Sequence, residues 1–183
     1  MANRSPLLIG CAAGFSGDRT DAATPVVQAL VNSGRPAVLI FETLAERTLA
    51  LAQLARRTNP DAGYEPLLDD LLRPVLAQCL QHGVRIVSNF GAANPQGAAL
   101  RIQQLAAELG ARRPRVAVVH GDDLSGPQHR ALLAQALGQD MPAQPIVSAN
   151  AYIGAQPIAE ALRAGADIVV CGRVADPSLV VGP

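Results

Sequence analysis

Side chains that can bind anions or move protons recur directly behind short apolar runs. Asp18 and Arg19 follow LLIGC, Glu42 follows AVLIF, and Asn89 to Asn94 follow VRIVS. His120, Asp122 and Asp123 follow RVAVV, and Arg173 and Asp176 follow DIVVC. An arginine fork meets carboxylate or phosphate oxygens two at a time, which makes Arg19 and Arg173 the expected anchors for an acidic ligand. Carboxylates partly screened from water hold protons closer to neutral pH, so Glu42 and Asp18 are the expected proton-transfer groups, with Asp122, Asp176 and Asn89 beside them. Asn94, His120 and the backbone at Gly91 complete the expected substrate-binding set. Asn94 is equally well placed as a helix cap.

The elements that must position these residues repeat one grammar. The runs at 7–11, 37–41, 84–87, 115–119 and 167–171 read as strands. Their unbroken apolar character is that of strands buried on both faces. Between them lie helical periodicities, opened by Pro25, Pro95, Pro127 and Pro157 and closed by Gly34, Gly83, Gly110, Gly138 and Gly165. Asn94 and Pro95 form a strong start for a helix to Leu109. Thr43 with Glu46 suggests a capping box for a helix from Leu44 to Arg56. A single helix kinked at Pro74 is expected from Pro66 to Gln81, and Ile146 with Val147 suggests an edge strand. The predicted architecture is a three-layer α/β domain over residues 1–183, with a mostly parallel sheet, crossover helices and doubly wound topology; part of a (β/α) barrel is the alternative. Parallel strands deliver every following loop to one edge, so a single site at the carboxyl edge follows.

Composition removes several function classes. Fifteen basic residues balance fifteen acidic ones and aromatics make up 3%, so nucleic acid is not an expected partner. The apolar run at Leu7 to Ile9 is too short for a membrane span or a signal-peptide core, which leads to the expectation of a cytoplasmic protein with no membrane partner. Three widely spaced cysteines do not form a disulfide or zinc framework. Gly14, Gly17 and Gly91 have neither dinucleotide nor P-loop spacing, so no nicotinamide, flavin or ATP motif is present. No histidine-built metal site is expected. Asp18, Glu42, Asp122, Asp123 and Asp176 are the oxygen ligands a divalent cation would use, which leaves a Mg²⁺- or Mn²⁺-dependent enzyme as an alternative.

Seven stretches carry a resemblance to a known family: IGCAAGFSGDRTDAA at 9–23, FETLAERTLAL at 41–51, GYEPLL at 63–68, SNFGAANPQGAA at 88–99, VHGDDL at 119–124, SANAYIGAQPIAEAL at 148–162 and GADIVVCGRVADPSLVVGP at 165–183. Together they resemble the N-terminal region of the acyclic terpene utilisation protein A family. That resemblance implies a place in bacterial breakdown of citronellol, geraniol and related acids as coenzyme A thioesters. One departure is visible: a position the family fills with glycine, between Phe90 and Asn94, is occupied here by Ala92 or Ala93.

Two function classes follow. One is an enzyme or catalytic domain acting on an acidic or CoA-linked metabolite. The other is a non-catalytic subunit that binds such a metabolite or supports a larger assembly. The last strand is followed by no recognisable crossover helix, and Val180 and Val181 are left without evident cover. The expectation is therefore either the N-terminal portion of a longer chain or a homo-oligomer.

Overall fold

The computed structural model describes residues 6–183. Its strands are β1 (Leu8–Cys11), β2 (Ala37–Phe41), β3 (Arg85–Ser88), β4 (Val116–Val119) and β5 (Ile168–Cys171). They form one sheet in the order β1-β2-β3-β5-β4, and every pairing between them is parallel. The helices are α1 (Ala23–Asn32), α2 (Glu46–Thr58), α3 (Leu68–Leu72), α4 (Leu76–His82), α5 (Pro95–Glu108), α6 (Arg130–Leu137), α7 (Gln156–Arg163) and α8 (Ser178–Val181). The result is a parallel sheet with crossover helices on both faces, a doubly wound α/β fold.

Alternation along the strands separates two cores. Leu39, Phe41, Ile86, Ile168 and Val170 face α1, α3, α4 and α5, where Val27, Leu72, Leu76 and Ile102 lie fully buried. Val38, Ile40, Val87, Val169 and Cys171 face the other way, against Ile158 and Leu162 of α7 and Leu179 of α8. A side-chain period of two sends neighbours to opposite faces, so central strands must be apolar throughout. The chain steps outward from β1 to β4 and then returns to insert β5 beside β3. The segments leaving β3 and β5 turn to opposite faces, the position at which sheets of this kind place a ligand crevice.

Local chemistry accounts for the helix ends. Asn94 caps α5 by accepting from the Gly97 N–H at 3.0 Å, with Pro95 in the first turn. All five glycines expected to stop helices have positive φ, a conformation that costs other residues a Cβ clash. Ala92 has φ 43° and is the one non-glycine with positive φ among the described residues. It lies in the bend between Phe90 and Asn94, and αL geometry costs an L-residue about 1 kcal/mol.

Three expectations are corrected. The helix across Pro74 is two helices, because proline cannot donate into the preceding turn and the chain breaks from Arg73 to Val75. The cap of α2 is Ala45, whose N–H donates to Thr48 Oγ1 at 2.8 Å, while Thr43 is drawn away to Asn89. Ile146 and Val147 form no strand; their carbonyls accept from the Arg57 guanidinium at 3.0 and 2.9 Å. A four-residue helix, α8, follows β5 and buries Leu179; it is no crossover between strands, and Val180 and Val181 are exposed as expected. No helix among the described residues is long and apolar enough to cross a membrane.

Candidate functional site

The carboxyl edge of the sheet carries a continuous polar network contributed by four strand ends. Behind β2, the Glu42 carboxylate accepts through Oε1 from the Leu44 N–H at 3.0 Å and the Asn89 amide at 2.8 Å. Asn89, behind β3 and fully buried, accepts in turn from the Thr43 N–H at 2.8 Å and the Thr43 hydroxyl at 3.3 Å. This fixes the Asn89 amide orientation and holds Glu42 in one rotamer. Glu42 is half-buried, and its Oε2 has no hydrogen-bond partner among the described residues.

Behind β5, Arg173 is 2% exposed. Its guanidinium donates to the Leu44 carbonyl at 2.6 Å, to the Val174 carbonyl through Nε at 2.8 Å and Nη2 at 2.5 Å, and to the Asp176 carboxylate. Four of the five guanidinium N–H groups are thereby engaged inside the protein. The Tyr152 ring covers the guanidinium, with the Arg173 Cζ 4.6 Å from the ring centroid, a cation–π arrangement. The Tyr152 hydroxyl donates to Glu46; that bond holds the Glu46 carboxyl below the usual carboxylate range and pushes the tyrosine up.

Asp122, behind β4, is also buried and accepts from the Arg173 N–H at 2.9 Å and the Asn150 amide at 2.8 Å. It lies against Gly172, where a Cβ would approach an Asp122 oxygen to 2.4 Å. Asp123 accepts from the Ser125 N–H and hydroxyl and from Gln53 at 2.8 Å. Burial works to raise its pKa, but these hydrogen bonds outweigh burial and the carboxyl is lowered.

Five expected residues thus share one network: Glu42, Asn89, Asp122, Arg173 and Asp176. Asn94 and Gly91 lie beside it with their groups turned elsewhere. Asn94 caps α5 and donates to the Pro60 and Ala62 carbonyls at 3.1 and 2.9 Å, which pins the turn before α3. The Gly91 N–H donates to the Cys171 carbonyl at 3.0 Å, and a Cβ on Gly91 would meet that oxygen at 2.5 Å. Backbone contact therefore closes the crevice between β3 and β5 at this level.

Asp18 and Arg19 stand apart on the exposed first loop. Asp18 accepts from the Gly14 and Arg19 N–H groups at 3.0 and 2.7 Å, which lowers its pKa, and Arg19 forms a two-pronged pair with Asp21 at 2.5 and 2.7 Å. His120 is exposed behind β4, outside the network. The acidic residues form no group of three or more metal ligands among the described residues.

Sequence reasoning missed Tyr152, Thr43 and Asn150. Tyr152 had one available signal: a large aromatic directly after the short run SANA, in a chain with two tyrosines in all. Thr43 and Asn150 are ordinary loop residues until the fold brings Asn89 and Asp122 to them.

Comparison with curated proteins and with solved structures gives no match. Residues 7–183 match the family model described as acyclic terpene utilisation family protein AtuA. The chain belongs to that family, which links it to the catabolism of acyclic terpenes and related acids.

Proposed function

We propose that the carboxyl edge is a catalytic site in which Glu42 transfers a proton to or from an acidic or CoA-linked acyclic metabolite. The observation that carries this reading is the state of the Glu42 carboxylate. Asn89 and the Leu44 N–H fix one oxygen, the other has no partner among the described residues, and the group is half-buried. A base needs this combination of fixed direction, free lone pairs and partial screening. In this reading Asn89 positions Glu42. Arg173 and Asp122 hold the β4 and β5 ends in place rather than touching the ligand. Arg19 and His120, exposed at the rim, are the groups that meet the ligand's negative charge, and Asp18 shapes the loop that carries Arg19.

The test is proton exchange into an acyclic acyl-CoA thioester, geranyl-CoA, in deuterated buffer. Wild-type protein should catalyse exchange, and Glu42→Gln, which keeps the shape and removes the base, should be slower by about 10²-fold or more. Equal exchange by both proteins overturns the assignment. A second reading is favoured by the engagement of nearly every Arg173 donor inside the protein: a non-catalytic subunit that binds the metabolite. Binding of geranyl-CoA without any exchange would select it.

A further inference from the structure

A groove of about 520 Å³ lies away from the polar network, between α2 and the turn at 59–66, with Ser16 of the first loop at one end. Its volume is within the range of small-molecule sites. One wall is the α2 face carrying Thr48, Leu51, Ala52 and Ala55, at three- and four-residue steps; two alanines there leave the space that larger residues would fill. The opposite wall is the turn through Ala62, Gly63 and Tyr64.

This wall is held rigidly. The Asn94 amide pins the Pro60 and Ala62 carbonyls, and the Arg56 guanidinium donates to the Ala93 carbonyl at 2.5 Å. Gly63 has φ +98°, and a Cβ there would meet the Arg56 Cβ at 2.8 Å, so only glycine lets the turn approach α2 this closely. Leu51 is 53% exposed within the groove, although a large apolar side chain on α2 gains nothing from water.

The charges select the ligand. Asp61 is the single charged side chain among the described residues that line the groove, and it is an acid. Glu65, between the lining residues Tyr64 and Pro66, is 4% exposed and pairs with no cation among the described residues; its Oε1 accepts from the Leu67 N–H at 3.0 Å. A carboxylate or phosphate placed here would meet the Asp61 carboxylate with no arginine among the described lining residues, since the Arg56 guanidinium behind the Gly63 turn is committed to the Ala93 carbonyl. We infer that the groove binds an uncharged, acyclic aliphatic chain, with a neutral polar end such as an alcohol in reach of the Ser16 or Tyr64 hydroxyl. The inference rests on the function proposed above only for the acyclic character of the ligand. The apolar requirement comes from the groove itself: its acid disfavours an anion, and an ammonium would give up hydration against the alkyl walls for the single, water-exposed Asp61 carboxylate.

Calorimetric titration with geraniol, geranate and geranylamine tests it. Geraniol should bind wild-type protein more tightly than either ion at neutral pH. Ala55→Phe, which fills the groove from an exposed helix position, should weaken geraniol at least tenfold with an unchanged melting temperature. Leu51→Asn, which adds no bulk, should weaken it less, and this second variant keeps the test valid if Ala55→Phe unfolds. Glu42→Gln should bind geraniol as wild type does. No geraniol binding by wild-type protein, equal binding by the two groove variants and wild type, or tighter binding of geranate or geranylamine would each overturn the inference. Intact geranyl-CoA exchange alongside failed geraniol binding would overturn the groove alone. Lost exchange with groove-dependent geraniol binding would overturn the Glu42 reading alone.

Discussion

Two of the arginine–aspartate pairs among the described residues, Arg19–Asp21 and Arg173–Asp176, share nearly the same local design, and their surroundings give them different work. Arg19 and Asp21 are two residues apart on the first loop, with side chains 68% and 71% exposed. Arg173 and Asp176 are three apart behind β5, with the arginine side chain 2% exposed and the aspartate 60%. In the first pair water competes for both charges and salt screens them. In the second, the guanidinium has exchanged water for two backbone carbonyls, a carboxylate and the face of Tyr152. A strand-end arginine in a sequence reads as a ligand anchor in both places. Burial decides that one of them is a clamp between the β2 and β5 ends.

The largest effect expected from this contrast is on stability. Arg173→Ala leaves the Leu44 and Val174 carbonyls without their charged donors, and a buried acceptor deprived of its donor loses more than the bond was worth. Urea unfolding should show a loss of about 3 kcal/mol. Arg173→Lys should recover only part of it, since one ammonium cannot span acceptors on two strand ends and still lie flat under Tyr152. An Arg173→Ala protein as stable as wild type would mean that the clamp does not exist and that the guanidinium is available to ligand.

This contrast also marks how far the sequence could be read. The parallel sheet, the start of α5 and the glycine-stopped helix ends were legible because they rest on local signals: apolar strand runs, Asn94 with Pro95, and glycines at helix ends. The gathering of Glu42, Asn89, Asp122, Arg173 and Asp176 was legible too, because parallel strands send all their following loops to one edge. The roles within that edge were not. Whether Asn89 holds Glu42 or a substrate depends on Thr43 lying opposite it. Whether Arg173 is buried depends on Tyr152, which arrives from a segment with no regular secondary structure. The groove beside α2 was invisible for the same reason, since Ala52 and Ala55 become a wall only once the turn at 59–66 is placed against them.

A smaller effect separates the sheet's edge from its centre through the cysteines. Cys11 ends the edge strand β1 and is exposed, whereas Cys79 and Cys171 are buried, and burial pushes each of their thiols up to about 12. For Cys171 the nearby Asp122 charge adds to the effect. These folded values lie above the ordinary value of 9.0 that applies to the unfolded chain. The fold therefore favours the protonated thiol, and this contribution is complete below pH 9 and is lost as pH rises from there toward 12. At pH 10 the loss should be about 1.4 kcal/mol per buried thiol. Stability measured from pH 8 to 10.5 should fall, and Cys171→Ala should flatten the slope. A thiol reagent at pH 8 should modify Cys11 alone in native protein and all three cysteines in denaturant. Rapid native labelling of Cys171 would show that the carboxyl edge opens to solvent.

The smallest expected effect belongs to Arg19, and it sharpens the comparison most. Arg19→Ala removes a pair whose members both face water, so the urea midpoint should not move measurably. The loop has another source of shape, because Asp18 accepts from the Gly14 and Arg19 backbone N–H groups, and alanine retains the second of these donors. If Arg19 meets the charge of the acidic metabolite, its loss should appear as a raised KM for geranyl-CoA with kcat unchanged, and added salt should shrink the difference between variant and wild type. Arg173→Ala should show the opposite signature, a loss of stability whose size depends little on salt. An Arg19→Ala protein that is destabilised as much as Arg173→Ala would dissolve the distinction between the two pairs, and the first loop would then have to be packed onto the carboxyl edge rather than free to greet a ligand there.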